Sequence, residues 1–140
     1  MSLIYKEESY AIMGACFEVY REMGAGFLES VYHECLRREF QLQSLPAVHE
    51  PRLEIAYKGE ALEKHCEPDF VCFSKIILEV KACSGVDDIH RAQVQNYLRA
   101  TGFQLGLLVN FGHTPQLEWE RIVLTRPRPS RDGGVSRLQS

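Results

Sequence analysis

The chain has 140 residues, 45% hydrophobic and 25% charged, which is one domain's worth of sequence with enough apolar content to bury a core. A formal net charge of -3 argues against a general nucleic-acid binder, and with no apolar run near 18 residues nothing is expected to span a membrane. The charge is uneven: residues 1–120 carry 11 Lys+Arg and 18 Asp+Glu, whereas 121–140 carry 5 Arg and 1 Asp, a body of -7 with a tail of +4.

The first eight residues, Met1 to Glu8, lack a basic start followed by an apolar core, so no secretory signal is expected. A first helix is expected from Glu8 to Met23, with Ile12, Cys16, Val19, Tyr20 and Met23 on one face. Gly24-Ala25-Gly26 ends it. A second helix follows from Leu28 to Phe40, its apolar stripe being Leu28, Val31, Tyr32, Cys35 and Leu36. Glu29 lies at the edge of that stripe and reads most simply as a first-turn acid complementing the helix dipole.

Gln43 to Pro51 reads as a connection. Arg52 to Lys58 alternates as a strand with Leu53, Ile55 and Tyr57 on one face, Lys58-Gly59-Glu60 turns, and Ala61 to Cys66 returns. Pro68 either breaks this strand or starts the next. From Asp69 to Ala82 two apolar stretches, Phe70–Phe73 and Ile76–Leu78, flank Ser74-Lys75 and read as a hairpin. Its parity decides its chemistry. A three-residue connection over Phe73-Ser74-Lys75 sets Cys72 opposite Ile76, Asp69 opposite Glu79, and Glu67 opposite Lys81; a two-residue turn puts Asp69 on the wrong face unless a bulge intervenes. In the first register Asp69, Glu79 and Lys81 crowd within roughly 5–8 Å. Two carboxylates and an ammonium on a rigid hairpin suit a hard divalent cation and an anionic substrate.

Ser84 to Asp88 is a loop whose aspartates can cap a third helix, Ile89 to Ala100, stopped by Thr101-Gly102. Ile89, Gln93 and Tyr97 share one face of it, so Gln93 is either a structural amide or an amide reaching the hairpin site. Leu105 to Phe111 is apolar enough for a strand buried on both faces, and Leu117 to Leu124 is a last strand. From 125 to 140 apolar periodicity ends, and a basic, mobile tail is expected after a single domain over 1–124. The order α-α-β-β-β-α-β-β implies an α/β fold (α+β with a mixed sheet), the crossover helix on one face and the first two helices on the rest.

The five cysteines show no C-x-x-C pair and sit mostly in apolar segments, so reduced thiols and a cytoplasmic location are expected. The five histidines show no H-x-x-x-H spacing and read as surface or core residues. Arg91, Arg99, Lys64 and Lys75 are candidates for a phosphate track, with solvated surface the simpler reading of each.

Gly26-x-x-Glu29-x-x-Tyr32, Pro68-Asp69, Glu79-Val80-Lys81 and Gln93-x-x-x-Tyr97, in this order over residues 5 to 124, resemble the GxxExxY proteins of the PD-(D/E)XK nuclease superfamily. Ala25 departs from the proline usual between the two glycines, which touches turn rigidity and not chemistry. The resemblance implies the superfamily's α-β-β-β-α-β core and a nuclease that cuts phosphodiester bonds, DNA being the expected polymer, with Mg²⁺ or Mn²⁺. It implies Asp69, Glu79 and the Val80 carbonyl as metal ligands, and Lys81 as the group that orients water and stabilises charge. It further implies Glu29 holding a water or a ligand, Gln93 contacting water or substrate, and Gly26, Tyr32 and Tyr97 in support. A salt bridge from Lys81 to Asp69 or Glu79 is the competing structural reading. A binding module that does not cut, and a subunit needing a homodimer or protein partner to grip a duplex, are the alternatives of function.

Overall fold

The computed structural model describes residues 3–125, so the expected tail, apart from Thr125, lies outside the described residues. The elements are α1 (Lys6–Met23), α2 (Glu29–Leu42), β1 (Ala47–His49), β2 (Leu53–Tyr57), β3 (Glu60–Cys66), β4 (Phe70–Cys72), β5 (Ile76–Lys81), α3 (Asp88–Thr101), β6 (Leu105–Asn110) and β7 (Glu118–Val123). Five strands form one mixed sheet in the order β1-β4-β5-β6-β7, and β2-β3 form a separate ribbon. Only the β5–β6 pair is parallel among the described ladders, which is what a crossover through α3 produces.

Strand alternation sorts the core into two layers. Phe70, Cys72, Ile76, Leu78, Val80, Leu105, Leu107 and Val109 face α1 and α2, meeting Ile12, Cys16, Val19, Tyr32, Leu36 and Phe40. Val71, Ile77, Leu108 and Ile122 face the other way, against Val94 and Leu98 of α3. Gly106 lies on that second face, where an added Cβ would stand 2.5 Å from Val94 Cγ1; the missing side chain lets α3 sit down on the sheet. β2 joins this layer through Leu53, while β3 is exposed along its length up to the buried Cys66. All five cysteines are free thiols. No described helix is long and apolar enough to cross a membrane.

Several local expectations need correction. Five strands precede α3 where the expected order has three: the hairpin supplies two strands instead of one, and the stretch read as a connection contains β1, an edge strand antiparallel to β4. Leu28 is not on the buried stripe: it is the N-cap residue, 76% exposed, since the helix begins only at Glu29. Ile89 is likewise 77% exposed, because the buried residues of α3 are Val94 and Leu98. Pro68 lies between β3 and β4 and belongs to neither. The cap of α3 is as expected of its loop: Asp87 accepts from the Ile89 and His90 N–H groups, and His90 Nδ1 accepts from the Asp87 N–H in return.

Tyr32 fixes the entry to α2. It is fully buried, stacks on Phe111 at 4.6 Å, donates its hydroxyl to the Gly24 carbonyl at 2.5 Å and accepts from the Phe27 N–H at 3.3 Å. The loop it grips contains Gly26 at φ 111°, a left-handed conformation that favours glycine. Tyr32→Phe keeps the ring and orphans both backbone groups, so urea denaturation should show a loss of about 1–3 kcal/mol.

Candidate active site

The β4–β5 hairpin has the three-residue connection, with Cys72 opposite Ile76, Val71 opposite Ile77 and Phe70 opposite Leu78. Phe73 and Ser74 take positive φ (54° and 60°), and the Lys75 N–H closes the turn on the Cys72 carbonyl. Beyond Phe70 and Leu78 side chains replace the backbone ladder. The Val80 N–H donates to Asp69 Oδ2 at 2.7 Å, and the Asp69 N–H donates to Glu79 Oε1 at 2.7 Å. Each acid thus caps the other's strand. The Lys81 carbonyl accepts from Phe111 on the β6 side. Successive residues turn to opposite edges, so the Val80 carbonyl faces the Asp69 side together with its N–H.

Glu79 is 2% exposed, and its carboxyl is pushed up to about 8. Burial is the main cause and repulsion from Asp69 the next; the Asp69 N–H and the Lys81 charge oppose them. Lys81 is half-buried on the same strand face, yet among the described residues it forms no ion pair. The salt-bridge reading therefore lacks its bond. Glu67, expected opposite Lys81, instead pairs with Arg52 at 3.4 Å.

α2 reaches the same point from the other face of the sheet. Glu29 and His33 stand one helical turn apart, and His33 Nε2 lies 3.9 Å from Glu29 Oε2 and 3.6 Å from Asp69 Oδ2. One ligand atom each from Glu29, His33 and Asp69 fall within 4.8 Å of one another. His33 is buried, its Nδ1 lies 2.9 Å from His49 Nε2, and its Nε2 has no hydrogen-bond partner among the described residues. The polar contact with Asp69 raises the His33 pKa, against partial burial and with help from Glu29 and Glu50. Burial lowers that of His49.

His33 is a candidate site residue that the sequence reading leaves out. The signal was the Glu29–His33 spacing of four on one helix; only His–His spacings were read as meaningful. A second omission is Asn110, fully buried opposite Lys81. Its Oδ1 accepts from the Cys83 and Gly112 N–H groups while its amide donates to the Cys83 carbonyl and Glu118, which pins the chain just after Lys81.

On α3, Gln93 is partly buried and donates to the Tyr97 hydroxyl at 3.1 Å. The Tyr97 phenol is raised to about 12 by burial and then by the nearby Glu79 and Asp69 charges, which places it at the margin of the acid centre. Two of the four candidates for a phosphate track are paired with acids. Arg91 is committed to Glu120 at 2.6 Å and Asp88 at 2.9 Å, and Lys75 to Glu8 at 2.8 Å.

A family model described as the PD-(D/E)XK nuclease superfamily matches residues 6–122. No curated protein matches the chain. The crystal structure of SSO0001 is similar with a TM-score of 0.54 and 20% identity over 71% of this chain and 52% of that one. An alkaline exonuclease (LHK-Exo) from Laribacter hongkongensis aligns with a TM-score of 0.41 and 15% identity over 64% of this chain and 52% of its own. The chain spans about half the length of both; the first likeness is one of fold, and the second is too distant to carry an argument.

Proposed function

Because this chain belongs to the PD-(D/E)XK nuclease superfamily, we propose that it hydrolyses phosphodiester bonds, with DNA the polymer expected and a divalent cation held by Glu29, His33, Asp69 and Glu79. The observation that carries the reading is the buried His33 Nε2, partnerless and aimed between two carboxylates. A buried polar atom without a partner is costly, and a cation at that point would satisfy it and offset the Glu79–Asp69 repulsion together. Three carboxylates and one imidazole fit Mg²⁺ or Mn²⁺, and the nitrogen donor tilts the set toward Mn²⁺. The Val80 carbonyl, on the Asp69 side, is a further oxygen donor.

When bound, the cation would supply Lewis acidity at the phosphate and a nucleophile at neutral pH. The chain's own groups do the positioning. The Asp69 carboxylate is held by the Val80 N–H and that of Glu79 by the Asp69 N–H, and Tyr32 with Gly26 holds the loop that sets Glu29 at the start of α2. Lys81 places its ammonium on the same face as Glu79, where it can stabilise charge developing on the phosphate. Gln93, steadied by Tyr97, offers an amide to water or substrate. A domain of this size has little surface for gripping a duplex, so a second copy or another protein is proposed to supply it.

The test is incubation of purified protein with labelled single- and double-stranded DNA and RNA, with Mg²⁺, with Mn²⁺ and with chelator. Cleavage confined to the metal arms supports the reading; no cleavage of any polymer in any arm removes it. Melting curves give an independent check on the metal. Mn²⁺ should raise the melting temperature more than Mg²⁺ does. In His33→Ala the Mn²⁺ shift should fall to the Mg²⁺ level, and an unchanged Mn²⁺ shift would take His33 out of the ligand set.

A further inference from the structure

We propose that the groove between α2 and β1 takes an unpaired nucleic-acid strand, with Arg37 holding a phosphate a few nucleotides from the reacting one. This rests on the nuclease reading and adds to it the form of the substrate.

The groove has a volume of about 720 Å³ and begins at the acid centre itself, since Glu29 and His33 line it. Its walls continue along α2 through Arg37 and Arg38, facing His49 and Glu50. That is room for a small ligand or a few nucleotides of one strand, and not for both strands of a duplex. A smaller hollow of about 160 Å³ shares Arg37, Gln41 and His49 with it and is floored by Phe40, Leu45 and Phe70. Those three side chains are themselves buried, so the surface the hollow offers is chiefly polar, and the charged side chains would hold a strand through its phosphates.

The charges are ordered along the groove. Glu29 belongs to the acid centre, Glu34 is held by Arg38 at 3.2 Å, and Glu50 sits 3.9 Å from His49. Arg37 is exposed and has no ion-pair partner among the described residues. Eight residues of helix separate it from Glu29, about 12 Å at the usual rise. At about 3.4 Å per nucleotide in a duplex strand that is three or four steps, and fewer for an extended single strand. Arg38 can join, because its pair with Glu34 is solvent-exposed and releases at little cost.

The test measures fluorescence anisotropy of the full chain in chelator, where metal-dependent cutting is off. The probes are a labelled single strand of mixed sequence and a blunt hairpin duplex of the same composition. Wild type should bind the single strand roughly tenfold more tightly than the duplex. Arg37→Glu should weaken single-strand binding by roughly tenfold and reduce the salt slope by about one, with the melting temperature retained. Gln41→Glu, in the same wall, should also weaken it and carries the test if Arg37→Glu misfolds. Equal affinity for the duplex, variants that bind as wild type does, or a wild type that binds neither probe would overturn the inference. Parallel cleavage assays separate the two ideas. Binding through Arg37 without cleavage in Mg²⁺ or Mn²⁺ removes the nuclease and keeps the groove. Duplex cleavage indifferent to Arg37→Glu removes the groove and keeps the nuclease.

Discussion

Lys81→Ala is expected to cut single-turnover cleavage by roughly a hundredfold or more while leaving the protein folded, because one charge-stabilising donor at the reacting phosphate is lost. The structure sharpens the contrast with a structural role. Lys81 is close enough for its charge to act on Glu79, yet it pairs with no carboxylate among the described residues. Asp69 and Glu79 are satisfied by backbone N–H groups that the substitution leaves in place. Stability should therefore change by no more than about 1 kcal/mol. A buried salt bridge losing one partner would instead cost about 3–5 kcal/mol. Melting temperature and cleavage measured on one preparation decide the matter. A folded Lys81→Ala protein that cuts at the wild-type rate would sink the catalytic assignment, and a large fall in melting temperature would restore the salt bridge.

What the sequence made legible was the part governed by short-range periodicity. Alternation fixed which hairpin residues share a face, and the three-residue turn at Phe73–Lys75 then aligned Asp69 with Glu79. The capping aspartate and the wholly buried β6 were legible for the same reason: a local pattern met a local rule. What escaped depends on distant contacts. β1 is three residues long, too short to show a period, and exists because β4 offers it an edge. Leu28 and Ile89 matched a helical stripe but sit at helix starts that the sheet does not cover. His33 carries no motif of its own. It becomes a candidate ligand only because α2 brings it past the sheet end to Asp69, a meeting of residues 36 positions apart.

Glu79→Gln is expected to abolish metal-dependent cleavage and, in chelator, to make the protein more stable than wild type at alkaline pH. The Glu79 carboxyl moves from an ordinary value of 4.5 to about 8 on folding, through burial first and Asp69 second. A group raised in this way favours the folded state fully below about pH 4.5 and loses that contribution as pH rises toward 8, because ionising it in place is unfavourable. Wild type should therefore melt at progressively lower temperature across that window. His33, also raised, adds a loss above its ordinary 6.5, and His49, lowered, opposes it; both persist in the variant and cancel in the comparison. Glutamine cannot ionise, and its carbonyl can still accept the Asp69 N–H, so the variant lacks the Glu79 part of the slope. A divalent cation binds the ionised carboxylate, so the wild-type thermal shift with Mn²⁺ should grow from pH 6 to pH 9 and be small in the variant throughout. Were Glu79 only a clamp on Asp69, the ligand atoms of Glu29, His33 and Asp69 would remain and the metal shift would be the same in both proteins at every pH. A variant less stable than wild type at pH 9 in chelator would show instead that the ionised carboxylate is a net stabilising group, and the repulsive acid centre would have to be given up.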